Sequence, residues 1–393
     1  GRSFEPWQGR TGAAPLRRDG PHARASGLRK ISAFTPVLAV DAVVRQLVET
    51  LRAASASKIP LVILGGGSKA FYGNPSTGET LPATLYRGIV DYEPTELVIT
   101  ARAGTPLGEV EAAMRDKGQM LAFEPPHFGT TSTLGGAIAA GLSGPRRAYA
   151  GAARDLVLGV RMLDGSGTDL QFGGQVMKNV AGYDVSRLMA GAMGTLGVIL
   201  EVSLKTLPLP AAEATLHLAG SEADAIRWFN EWAGKPLPIS ATAWCAGDIG
   251  VRLSGAHAAV DAAIKQIGGT HIDPRKAAAF WRGLRDHTDP FFDGDAPLWR
   301  LSVKSTAPPM ALDSEPLIEW GGALRWLKSA APAEKIRAAA TQAGGYATLF
   351  RATDKSAGVF HPLPTALMKL HQRLKQQFDP AGILNPGRLY PGM

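Results

Sequence analysis

The chain has 393 residues, 45% hydrophobic and 19% charged, enough to bury the cores of two or three domains. Gly 46 and Pro 28 are too few for disorder to be its main theme, and no apolar run approaches the ~18–20 residues of a membrane span. The net charge of +8 lies mostly in the first thirty residues, which hold seven basic and two acidic side chains; no basic stripe or motif for nucleic acid follows.

Residues 1–30 are rich in Gly, Pro and Arg, lack periodicity and lack the apolar stretch of a secretory signal. They are expected to form a disordered basic tail, either a mis-assigned start or a targeting-like extension. Val40, Val43, Val44, Leu47, Val48 and Leu51 then fall on one helical face. Leu61 to Leu64 is a continuous apolar run suited to a buried parallel strand, and it leads into Gly65-Gly66-Gly67-Ser68-Lys69. Leu97 to Arg102 reads as a strand. A second helix is predicted after it, with Thr105 as N-cap, Pro106 at the first helical position, Glu109 in the first turn and Gly118 closing it.

From Gly129 to Gly197 there are fifteen glycines, a third of the total in under a fifth of the length. Within this stretch Leu156 to Leu163 and Thr168 to Phe172 flank Asp164-Gly165-Ser166-Gly167, a hairpin signal. An alternating strand from Val198 ends at Pro208 and Pro210. Beyond those prolines glycine thins and seven of the eight tryptophans lie between 228 and 326, which reads as a second, α+β domain. These tryptophans either anchor a docking surface or fill a core. Leu367, Leu370, Leu374 and Phe378 line a last helix that stops at Asp379-Pro380, ahead of an Asn385-Pro386-Gly387 turn.

The single Cys245 excludes disulfides, thiolate zinc sites and iron–sulfur clusters within the chain and points to a reducing compartment. The histidines show no metal-ligand spacing, so no metal is expected, and no nucleophile-elbow motif occurs. Glycines concentrate where backbone approaches a ligand or takes positive φ, and successive exposed N–H groups make concave anion sites. Gly65 to Lys69 is thus either a phosphate cradle or a tight turn without a ligand. A dinucleotide fingerprint ending at Ala70 fails, because Phe71-Tyr72-Gly73-Asn74-Pro75 permits no helix and no acidic residue follows where ribose would be held. A Walker loop fails because Lys69 lacks the required frame.

Several motifs then occur in order: the Gly65-Gly66-Gly67-Ser68 loop, Thr133-Leu134-Gly135-Gly136, Gly194-Thr195-Leu196-Gly197-Val198-Ile199 and Asn385-Pro386-Gly387. Together they resemble the vanillyl-alcohol-oxidase-type (PCMH) FAD-binding family. Met177-Lys178-Asn179-Val180-Ala181-Gly182-Tyr183-Asp184, Gly321-Gly322-Ala323-Leu324-Arg325-Trp326-Leu327 and the run from Gln376 to Arg388 make the likeness finer. Over nearly the whole chain after residue 30 it is similar to the smaller FAD-binding subunits of bacterial glycolate oxidases.

The resemblance implies an α+β protein: a PCMH-type FAD-binding domain of two α/β subdomains over 31–208, an α+β cap over 209–350, and a segment 351–393 returning to the first domain. It implies non-covalent FAD, since the loop 65–74 holds no histidine for a flavin linkage. It carries cofactor binding to Gly65, Gly66, Gly67, Ser68, Lys69, Pro126, Thr131, Ser132, Leu134, Gly135, Gly136, Ala139, Ala140, Gly144, Asp155, Val198, Ile199 and Asn385. Ile199 could equally be sheet core, and Asn385 a turn former. Arg146, Arg147 and Arg154 are candidates to offset phosphate charge, with a structural pair to Asp155 as the other reading of Arg154. His127 is expected to be solvent-facing or structural.

No residue is assigned a catalytic role. The His-rich, metal-associated motif of the hydroxy-acid-oxidising branch is missing, and Arg282, Arg285 and Arg325 are the candidates for a carboxylate clamp, against surface or ion-pair roles. The implied function is the FAD-binding subunit of a glycolate dehydrogenase complex, oxidising glycolate to glyoxylate with a larger flavin subunit and an iron–sulfur subunit as partners. The expected location is the cytoplasm, at the inner membrane only through partners and without insertion. A self-sufficient lactate or glycolate dehydrogenase and a cofactor-free assembly scaffold are the alternatives.

Overall fold

A computed structural model describes residues 37–174 and 184–393. The predicted tail 1–30 and the segment Met177 to Tyr183 of one motif lie outside the described residues. The chain opens with the helix Val37–Ser57, whose buried Leu47 and Leu51 fall on the predicted face. The strand Leu61–Leu64 follows and pairs in parallel with Glu79–Pro82. Its expected burial is only partial: Leu61 is buried, whereas Leu64 is 38% exposed.

A five-stranded antiparallel sheet carries the next layer, in the order Ile89–Glu93, Val98–Arg102, Val198–Lys205, Val157–Leu163, Asp169–Gly173. The last two strands form the predicted hairpin around Asp164-Gly165-Ser166-Gly167, where Asp164 Oδ1 accepts from the Ser166 and Thr168 N–H groups. The helices Leu107–Arg115 and Leu134–Ala140 pack Val110, Met114, Leu134 and Ile138 onto the sheet, against Ile99, Val160 and Val202. Val198 and Leu200 instead join Leu47, Leu51, Leu61 and Leu163 in a separate core with Ile383 and Leu384 of the C-terminal segment. The central strand is therefore covered on both faces.

One predicted helix start is corrected. Pro106, not Thr105, is the N-cap of Leu107–Arg115, and Thr105 caps nothing. Its hydroxyl is fully buried, donating to the Arg102 carbonyl at 2.7 Å and accepting from the Gly88 N–H at 2.8 Å. A hydroxyl beside an available loop carbonyl is satisfied there, and the helix begins one residue later.

Residues 212–351 build a second, eight-stranded antiparallel sheet. Its order is Thr270–His271, Ala212–Ala219, Asp248–Gly255, Ile239–Cys245, Leu317–Glu319, Leu324–Lys328, Leu298–Ser302, Tyr346–Arg351. Six of its seven tryptophans are buried, among them Trp244, Trp281, Trp299, Trp320 and Trp326; only Trp228 is partly open. They serve the core, which removes them as docking anchors. This unit, the cap, is tied to the first sheet's domain by charge as well as packing. Glu124 receives Arg252 at 2.9 Å and Arg146 at 3.5 Å, while Arg146 also reaches Glu213 at 2.9 Å. Burial alone would raise the Glu124 pKa, but the two guanidiniums hold it below the ordinary carboxylate value.

The helix Thr365–Phe378 ends at Asp379, after which the chain returns beside Leu61. The join is a buried ion pair. Lys375 Nζ donates to Asp379 Oδ2 at 2.7 Å and to the Thr195 and Leu384 carbonyls at 2.8 and 2.6 Å. Asp379 in turn accepts from the Ile383 and Leu384 N–H groups. Among the described residues no helix is long and apolar enough to cross a membrane.

Candidate functional site

The returning C-terminus, the strand Leu61–Leu64 and the helix Leu134–Ala140 enclose a cleft of about 960 Å³, open mouth included. Gly65 to Lys69 form one wall. Among the described residues, the five consecutive N–H groups of Gly65, Gly66, Gly67, Ser68 and Lys69 donate to no protein acceptor. Unpaired amides in series are the usual anion nest. Gly67 takes φ +73°, which turns the nest.

Across the cleft lies the segment Thr131–Gly136. The N–H groups of Thr131, Ser132 and Thr133 are likewise unpaired among the described residues, and the Thr133 hydroxyl caps the following helix by accepting from the Gly136 N–H. The two loops touch at Gly66, where a Cβ would lie 1.5 Å from the Thr131 carbonyl oxygen. Gly135 serves packing, since a Cβ there would meet Ala103 Cβ at 2.5 Å. Gly136 differs: a Cβ would meet only Thr133 Oγ1, at 3.1 Å, so the missing side chain leaves room in the cleft itself.

Ile63, Leu64, Ala139, Ala140 and Ile199 supply apolar walls. This explains the exposure of Leu64: its strand faces the cleft, and apolar surface left open in a recess marks a ligand's place. Phosphate-binding amides at one end and apolar walls at the other are what a flavin dinucleotide requires, so the residues present fit FAD.

Lys69 has its side chain buried behind the loop. Its Nζ donates to Ser132 Oγ at 2.8 Å and more weakly to the His127 carbonyl at 3.4 Å, and it lies 5.6 Å from the Phe128 ring centroid. Burial lowers its pKa to about 8, a fall that the Asp286 carboxylate opposes.

Eleven of the expected cofactor residues line this cleft: Gly65 to Lys69, Gly135, Gly136, Ala139, Ala140, Ile199 and Asn385. The other seven do not. Thr131 meets it through its loop contact with Gly66, and Ser132 through its bond to Lys69. Leu134 and Val198 are buried in the two cores. Pro126 and Gly144 border a small internal space at the cap, and the Gly144 carbonyl accepts from Trp320 Nε1. Asp155 receives the Ala152 N–H at 2.9 Å and lies 3.8 Å from the exposed Arg154. Asn385 is spent on the protein: Oδ1 accepts from the Ile63 N–H at 2.8 Å and Nδ2 donates to the Met193 carbonyl at 2.6 Å. Cleft residues not foreseen include Ala83, Ala103 and Met193, none of which carries a local signal, and Arg388, which closes the C-terminal motif. Gly194 and Gly197 also line it, and their shared motif was the available clue.

The arginine expectations change. Arg146 is consumed by Glu124 and Glu213, and Arg147 stacks over Trp320 at 4.4 Å, so neither faces the cleft. Arg325 is wholly buried and donates to the Ala307 and Pro308 carbonyls. Arg285 is paired with Asp286 at 2.7 Å, and Arg282 is exposed. His127 is half-buried, with Nε2 3.1 Å from Glu111 and its N–H donating to Asp286. Among the described residues no group of three or more His, Cys, Asp or Glu is placed to hold a metal ion.

A family profile described as "FAD binding domain" matches residues 40–173. The chain is 51% identical over 344 residues, 88% of its length and 96% of the relative's, to the glycolate oxidase subunit GlcE of Escherichia coli (strain K12). Over 184 residues, 46% of its length, it is 30% identical to a D-2-hydroxyglutarate dehydrogenase of Xanthomonas citri pv. viticola, 39% of which is covered. Among solved structures, an alkyldihydroxyacetonephosphate synthase superposes with TM-score 0.62 at 16% identity, over 88% of this chain and 76% of that one. That likeness extends through the cap and identifies the overall architecture as PCMH-type.

Proposed function

Because the chain belongs to the family of FAD-binding glycolate oxidase subunits, we propose that it carries FAD within a complex that oxidises glycolate to glyoxylate and delivers the electrons to an iron–sulfur subunit. The observation that carries this reading is the row of unpaired amides from Gly65 to Lys69, facing a cleft kept open by Gly136, in a chain alike to one such subunit over nearly its full length. Bound FAD supplies a two-electron acceptor that can release electrons singly to a cluster.

The chain's own part is binding, orientation and charge. Gly65 to Lys69 and Thr133 would offer N–H groups to the diphosphate, and buried Lys69 would add a positive charge beside them. Ile63, Leu64 and Ile199 would bury ring surface and exclude water. Glu124 with Arg146 and Arg252 keeps the cap in a fixed position over the first domain. None of the described residues lining this cleft is a carboxylate or a histidine, so a base for the substrate hydroxyl is to be sought outside them.

The test is to purify the chain from flavin-replete cells and measure bound flavin, then to rebuild the complex with this subunit either loaded or stripped of FAD. Stoichiometric flavin, and electron delivery that stops when this subunit alone is stripped, are expected. A colourless protein, or turnover undiminished by stripping, would make the chain an assembly scaffold instead.

A further inference from the structure

A second recess, about 1140 Å³ with its mouth, adjoins the flavin cleft and shares Ser68 with it. It lies between the first domain, through Phe71, His127 and Phe128, and the cap, through Asp286, His287 and Arg351. Arg351 is the last residue of the cap's edge strand Tyr346–Arg351. Among the described residues its guanidinium makes no hydrogen bond and no ion pair, although it is only partly exposed.

Asp293, whose charge acts on Arg351, is exposed and makes no ion pair with it, and the carboxylates at the recess itself are already matched. Both Asp286 carboxylate oxygens are engaged by Arg285, and Oδ1 also accepts the His127 N–H. Glu111 is held by His127 Nε2. His287 is kept neutral, first by burial and then by the positive charges of Arg351 and Arg300, and its ring stacks on Phe292 at 3.9 Å. Among the described residues that line the recess, the charge left without an ion pair is therefore positive: Arg351 on the cap wall, with Lys69 behind the opposite one. Lys69 lies directly behind that wall, bonded to the His127 carbonyl and set against the Phe128 ring. The hydroxyls of Thr130 and Thr288, at the same recess, have no partner among the described residues.

We propose that this recess binds a small carboxylate, with Arg351 as the residue that anchors it. A planar guanidinium is suited to grip a carboxylate through two parallel hydrogen bonds, and Thr130 and Thr288 offer further donors to a hydroxyl on the same molecule. Phe71 and Phe128 close the recess on the side of the flavin cleft with apolar surface. The site deepens the function proposed above and rests on it for one point: a 2-hydroxy acid held by Arg351 lies on the cap side of the loop that carries the cofactor. The clamp is thus not Arg282, Arg285 or Arg325 but an arginine at the far end of the cap sheet.

The experiment is calorimetric titration of the purified chain with oxalate and with glycolate, with flavin content and its absorbance recorded in the same samples. Wild-type protein is expected to bind both, and Arg351→Gln to weaken binding by tenfold or more, the effect of removing a charge-assisted hydrogen bond. Arg351→Lys should recover part of the affinity, and Arg282→Gln, on the exposed face of its helix, none of the loss. Unchanged flavin content in Arg351→Gln shows that the variant is folded; if it is not, Arg351→Lys carries the comparison. Equal affinity in wild type and Arg351 variants, or no binding by a wild type that holds its flavin, overturns the site. A wild type without flavin that still binds oxalate through Arg351 would sink the proposed function and leave the carboxylate site standing. Loss of partner-subunit binding in Arg351→Gln with unaltered oxalate affinity would assign the recess to an acidic side chain of that partner and refute the small-molecule site.

Discussion

Gly66, in a loop, and Gly136, in the first turn of the helix Leu134–Ala140, both line the cleft, and valine at either should deplete the cofactor by different physics. At Gly66 the Cβ of any other residue would lie 1.5 Å from the Thr131 carbonyl oxygen and 2.5 Å from its carbon. Restoring ordinary contact requires the two backbones to part by about 2 Å. Backbone cannot swing aside as a side chain can, so the cost belongs at the upper end of overpacking, roughly 3 kcal/mol. At Gly136 the added atom meets only a hydroxyl at 3.1 Å, and a helix favours almost any residue over glycine. Gly136→Val should keep its stability within about 1 kcal/mol of wild type, while its methyl groups project into the cleft and cut bound FAD by tenfold or more. Thermal unfolding of the apoproteins and the flavin-to-protein absorbance ratio after desalting separate the two effects. Gly66→Val should lose both stability and flavin, with the cap sheet still folded; Gly136→Val should lose flavin alone. Full flavin occupancy in Gly136→Val would show that the space beside this helix is not where the cofactor lies.

Glu319 is buried among aromatic side chains and accepts from Trp326 Nε1 at 2.8 Å. Burial raises its pKa from 4.5 to about 7, against the Trp326 bond and Arg300. The unfolded chain therefore releases this proton near pH 4.5 and the folded one near pH 7, so the group costs stability progressively over that window, by ~3 kcal/mol in full. Glu319→Gln should remove that slope, gaining on wild type as pH rises from 4.5 to 7 in urea titrations; parallel pH profiles would contradict it. Lys375→Met strands the buried Asp379 carboxylate and should cost about 3–5 kcal/mol in a urea midpoint series, with Asp379→Asn losing less because the Ile383 and Leu384 amides keep an acceptor. Asn385→Ala leaves the Ile63 N–H and the Met193 carbonyl without partners and puts alanine at φ +40°, a loss of about 2–4 kcal/mol readable in the same assay.

Much of this protein was legible along the chain because its signals are local. The helix face that buries Leu47 and Leu51 and the hairpin around Asp164-Gly165-Ser166-Gly167 each depend on neighbours within a few residues, whereas the strand from Val198 stops at Lys205, short of the prolines expected to end it. The glycine loops are visible for the same reason: removing every Cβ over a short span leaves a compositional trace, and FAD explains it. The family itself follows from several such traces in one order.

What the tertiary structure alone decided concerns pairing across long separations. Whether an arginine is free depends on which carboxylate folds against it. Arg146 and Arg252, far apart in the chain, share Glu124, whereas Arg351 makes no ion pair among the described residues. Glycine roles divide in the same way, since only the fold places the Thr131 backbone on Gly66 and open space beside Gly136. Asn385 reads as a turn residue or a ligand contact until the chain end is laid along Leu61, where its amide joins two other segments. Local sequence specifies which backbone shapes are affordable, but the charge left over in a recess is a sum over segments far apart in the chain, and only folding performs that sum.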